Sequence, residues 1–158
     1  MAILVMGLGN ILMSDDGLGS RVISELERRF LPCEQVSLID GGTLGLDLLP
    51  RLEGVDKLLI IDALQMGAEP GLVFRLEGEE VPRAFANKLS VHQMGLQDLL
   101  AVAELQGHLP RELVVIGAQS AEIEMVMKLS PPVEAAFDRV ISAVLAELAS
   151  WGQPLQAA

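Results

Sequence analysis

The chain has 158 residues, enough for one domain that buries about two-thirds of its unfolded surface. Hydrophobic residues at 51% and charged residues at 21% exclude a disordered chain, and aromatics at only 3% leave an aliphatic core. A formal net charge of -11, with Lys and Arg scattered singly, argues against nucleic acid or an anionic membrane surface as partner.

The apolar N-terminus lacks a basic n-region and breaks at Gly7 and Gly9, and no apolar run reaches the roughly 18 residues of a membrane span. Cys33 is the only cysteine, which excludes an internal disulfide and a multi-cysteine zinc site. A soluble cytoplasmic protein is expected, and a monomer.

Residues 2–6 (AILVM) have the continuous apolar pattern of a strand covered on both faces. A Gly-Leu-Gly-Asn turn follows. Leu18, Val22, Ile23, Leu26 and Phe30 then recur at helical spacing, predicting a helix over 17–30 with Asp15 or Asp16 as its N-cap. Val36 to Ile39 is a second strand, ending in Asp40-Gly41-Gly42-Thr43, and a short helix is predicted around 45–52. Leu58 to Ile61 is a third, ending in Asp62. Strands alternating with helices imply parallel pairing through right-handed crossovers.

Residues 63–71 are too short and turn-rich for a crossover helix, so strand Leu72 to Leu76 is predicted to run antiparallel at a sheet edge. Residues 77–89 read as an irregular connection. Ser90 and Gln93 form a capping-box pattern for a helix to about 106, Leu113 to Ile116 is a fifth strand, and Ser130-Pro131-Pro132 opens a last helix. Its stripe is Val133, Ala136, Phe137, Val140, Val144 and Leu148. The expected fold is a three-layer αβα sandwich around a mostly parallel, twisted five-stranded sheet with one antiparallel edge strand. Residues 1–150 make a single α/β domain on this reading, and 151–158 a frayed tail.

In open α/β sheets, sites form beyond the carboxyl ends of the strands. Asp16 lies in the loop after the first strand, and Asp40 and Asp62 follow the second and third. If the 72–76 strand is antiparallel, the connection of 77–89 must climb back to that edge, and the next helix starts there with His92 in its first turn. Asp16, Asp62 and His92 together offer two carboxylates and an imidazole, a ligand set for a first-row divalent metal with positions left open. A helix N-terminus disfavours a protonated His92 and so keeps the imidazole available. Such ligands do not by themselves choose nickel over zinc.

Plainer readings exist for each residue. Aspartates at strand ends cap helices or tie turns, His92 alone fits an exposed first-turn position, and His108 fits a helix C-terminus. Gly7 and Gly9 make only part of a dinucleotide fingerprint, because Leu12 fills the third glycine position. Ser120 lacks an evident base, Cys33 falls outside the crevice, and Met66 and Met94 lie near it.

The segment from Gly7 to Gly19 (GLGNILMSDDGLG) resembles the N-terminal signature of the nickel–iron hydrogenase maturation endopeptidases. Asp40-Gly-Gly-Thr43, the strand ending in Asp62-Ala63, and Ser90-Val-His92-Gln-Met-Gly-Leu96 are similar to its other motifs, in register from residue 2 to about 148. The resemblance implies a peptidase that trims the C-terminal extension of a hydrogenase large-subunit precursor after nickel insertion. It implies catalytic and metal-contacting roles for Asp16, Asp62 and His92. It also implies that the nickel arrives in the precursor, so that the three residues read an ion the enzyme does not keep. The alternatives are a non-catalytic metal-binding maturation factor that checks nickel insertion, and nucleotide binding at the Gly7-Gly9 turn.

Overall fold

The computed structural model describes residues 1–84 and 91–158, with side chains for all of these except 83–84 and 91–95. Five strands form one sheet: β1 (Ile3–Leu8), β2 (Val36–Gly42), β3 (Lys57–Leu64), β4 (Val73–Glu77) and β5 (Glu112–Gln119), in the spatial order β2-β1-β3-β5-β4. The first three and β5 pair in parallel, and β4 pairs antiparallel to β5 at the edge, as the short 63–71 connection requires.

Alternating side chains split the core into two layers. Ile3 and Val5 of β1, Leu59 and Ile61 of β3, and Ile116 of β5 face α1 (Leu18–Arg29) and α4 (Pro131–Ser150). Leu4 and Met6, Leu58 and Ile60, and Val115 face the other side. There a 3-10 helix (Gly45–Leu52), the short α2 (Glu80–Ala84) and α3 (Val91–Leu105) close the sandwich. The last helix packs its predicted stripe inward, with Phe137 only half-buried. It is also tied to β4. The Arg75 guanidinium donates through both Nε and Nη2 to the buried Glu147, which holds the arginine pKa above its ordinary value.

Four expectations need correction. The first residues of α1 are not capped by Asp15 or Asp16: the N-cap is Gly17, and the two aspartates sit in a preceding 3-10 turn, Ser14–Gly17. Asp40 and Asp62 are not beyond their strands but inside them, since β2 runs on to Gly42 and β3 to Leu64. The connection of 77–89 contains α2, where the Glu80 carboxylate accepts the Glu77 N–H; residues 85–90, with the Ser90 of the capping box, lie outside the described residues.

The tail expected to fray is pinned. Trp151 is buried under Lys57, whose ammonium lies 5.3 Å from the indole centroid. Leu31 N–H donates to Gln156 at 2.8 Å and Ala158 N–H to Arg29 at 2.9 Å. The extended chain after α1 leaves backbone groups that would otherwise need water, and the tail pairs with them.

Candidate active site

The carboxyl edge is shaped by how tightly α1 presses on the sheet. A Cβ on Gly19 would overlap the carbonyl oxygens of Leu8 and Ile61, so the first turn of α1 rests directly on the end of β1 and the carboxyl half of β3. Gly9 has φ +120°, and a Cβ there would meet the Asp16 carbonyl oxygen. The glycines thus serve close approach of backbone to backbone. Where a phosphate would rest in a dinucleotide site, this helix N-terminus presents the buried carboxylates Asp15 and Asp16, which repel it.

Asp16 is 3% exposed, and its Oδ2 accepts the Asn10 N–H at 3.1 Å. Its turn packs against β3. Asp62 is fully buried and sits one residue beyond the last β1–β3 pair, Gly7 with Ile61, which puts it level with Leu8 at the end of β1 and beside Gly117. Its Oδ1 accepts the Ala63 N–H at 2.8 Å. Strand alternation with Ile60 and Leu64 turns Asp62 toward the layer that contains α3.

The direction of α3 follows from its connections. It leads through Gly107 to Pro110 into the amino end of β5, so it runs antiparallel to that strand and starts at the carboxyl edge. Its 15 residues span about 22 Å, the height of the sheet. Leu96 and Leu99 accordingly pack with Leu8 and Leu48 in the buried core at the ends of β1 and β2. Helix α3 begins at Val91, which puts the backbone of His92 in its first turn; the His92 side chain lies outside the described residues.

Asp40 goes elsewhere. Its Oδ1 accepts the Ser20 Oγ–H at 2.7 Å and the Gly42 N–H at 3.0 Å, which ties the end of β2 to α1 on the face opposite Asp62. His108 is exposed after α3, and Cys33 lies at the opposite edge beside Val36. Met66 is half-buried, and the Met94 side chain lies outside the described residues.

Two supports of the edge have roles that the sequence did not assign to them. Asp15, fully buried, accepts four hydrogen bonds: from Ala121 N–H (2.7 Å), Glu122 N–H (3.0 Å), Ser130 N–H (2.8 Å) and Ser130 Oγ–H (2.8 Å). Gln119 Oε1 accepts the Met66 N–H at 2.6 Å, and its Nε2 donates to Gln65 Oε1 at 3.0 Å, fixing the loop that follows Asp62. The available signal was a glutamine closing an otherwise apolar strand. The Ser120 Oγ accepts from the Gln65 side-chain amide.

Among the described residues no three His, Cys, Asp or Glu side chains by themselves make a metal-holding group, and the imidazole of the expected set is not among them. The two carboxylates at this edge, Asp16 and Asp62, are oxygen donors of the kind that suit a divalent ion.

Residues 20–147 match the family described as hydrogenase maturation protease. The chain is similar to the hydrogenase expression/formation protein HupD of Bradyrhizobium diazoefficiens, with 41% identity over 95% of this chain and 79% of that protein. It is similar to the hydrogenase 2 maturation protease of Escherichia coli, with 39% identity over 96% of this chain and 93% of that protein. Its fold matches the hydrogenase maturating endopeptidase HybD from E. coli at a TM-score of 0.94 and 38% identity, covering 99% of this chain and 98% of that one. The likeness therefore spans the edge loops as well as the sheet.

Proposed function

This chain belongs to the hydrogenase maturation protease family and is a peptidase, and from that premise we propose that it removes the C-terminal extension of a nickel–iron hydrogenase large-subunit precursor after nickel insertion. In this reading Asp16, Asp62 and His92 contact the nickel that the precursor carries. The ion is part of the substrate.

The observation that supports the reading is the burial of two carboxylates, Asp16 and Asp62, at the edge where α3 begins. Carboxylate oxygens are ligands for a divalent cation, and neither residue is needed to cap α1. A precursor that presents a divalent ion here supplies that cation. Reading the ion at the scissile segment makes loading a condition for cleavage. Either carboxylate is chemically competent to take a proton from the attacking water.

The test is processing of nickel-loaded precursor by Asp16→Asn, Asp62→Asn and His92→Ala, read as precursor mass. Each variant should keep its circular dichroism and lose processing. Near-normal processing by all three removes the site.

A further inference from the structure

The segment between β5 and α4 exposes apolar side chains while its backbone is held fast. Met125, Val126 and Met127 are 85%, 38% and 64% exposed. Behind them the chain is bolted to the Ser14–Gly17 turn and to α1. Ser14 N–H donates to Val126 O at 2.8 Å, Ser14 Oγ–H to Glu124 O at 2.9 Å, and Arg21 Nη2 to Met127 O at 2.8 Å. The four bonds to Asp15 secure the two ends of the same segment. Ile11 and Leu12, 44% and 48% exposed, belong to the loop leading into that turn and extend the patch.

A loop this well anchored keeps its apolar side chains in water by construction. Burying one such side chain against a partner is worth about 1.5–3 kcal/mol. Methionines suit the purpose because their flexible, polarizable chains adapt to irregular partners.

We propose that this patch docks the apolar residues flanking the scissile bond of the precursor, an inference that rests on the peptidase reading above. Continuity argues for that occupant. The patch is carried by the turn that carries Asp16: Ser14, which grips Val126, is two residues from it. Each extended residue advances a bound chain by about 3.3 Å, so a segment on the patch is only a few residues from a bond held at Asp16. A second copy is the poorer occupant, because two chains of net charge -11 repel each other.

The test compares the wild-type chain with Met125→Lys/Met127→Lys, Met125→Leu/Met127→Leu and Leu105→Lys, an exposed position at the far end of α3. Steady-state processing and direct binding of nickel-loaded precursor are read, with sedimentation of each protein alone. The lysine pair should raise KM about tenfold and weaken binding with kcat unchanged, while the leucine pair and Leu105→Lys match wild type. An unchanged KM in the lysine pair overturns the docking site and leaves the peptidase reading standing. A wild type that binds without cleaving, with binding lost in the lysine pair, overturns the peptidase reading and supports the docking site. A wild-type dimer split by the lysine pair overturns docking in favour of a self-interface, and a wild type that neither binds nor cleaves overturns both.

Discussion

Asp15 and Ser130 are 115 positions apart in sequence and joined by two hydrogen bonds of 2.8 Å, one from the serine backbone and one from its hydroxyl. This pair locks the turn bearing Asp16 onto the start of α4. Asp15→Asn keeps the shape but puts an amide where charged acceptors served four donors, and it should cost about 3 kcal/mol of stability. Ser130→Ala should cost about 1.5 kcal/mol, because one charge-assisted bond is lost. Denaturant melts of both variants and their double mutant check this, with a coupling of at least about 0.5 kcal/mol expected between them.

Gly19→Ala should destabilise by about 3 kcal/mol or more, since its Cβ would press on two strand carbonyls with no side chain to give way. Gly54→Ala, at φ +78° with open space around it, should cost only about 1 kcal/mol. Thermal unfolding of the two variants separates close packing from backbone conformation.

Glu147 is buried and its partner Arg75 is half-exposed. Among the described residues Arg75→Ala leaves the carboxylate with the Ser150 hydroxyl, and it should cost about 2 kcal/mol. Arg75→Lys should fall in between, because a point charge replaces the fork that now reaches both oxygens. Urea midpoints order the three proteins.

Hydrogen bonds from Arg28 and then Arg29 hold the Glu25 carboxyl at a pKa of about 2, below its ordinary 4.5. A depressed carboxyl stabilises the fold above the ordinary value, and that contribution drains away as pH falls from 4.5 toward 2. Glu25→Gln should flatten the melting-temperature profile over that window. The difference should shrink in high salt, as the group is at the surface.

The sheet was legible because each strand is a short apolar run bounded by turns, and the topology then carried Asp16, Asp62 and the start of α3 to one edge. Local rules failed where distant partners decide. Asp15 has the sequence context of a helix cap, yet its donors come from residues 121, 122 and 130. The tail has no periodicity of its own, and only the strand-like chain after α1 gives it a place to pair. Asp62 lies within its strand because Gly117 leaves room beside it for β3 to continue.

The most direct measurement is mass spectrometry of matched nickel-loaded and nickel-free precursor after incubation with the purified chain. A peptidase that reads the precursor's nickel shortens the loaded form and leaves the nickel-free form intact. Equal cleavage of both forms contradicts the metal-reading role of Asp16, Asp62 and His92, and a stable complex with no loss of mass contradicts cleavage itself.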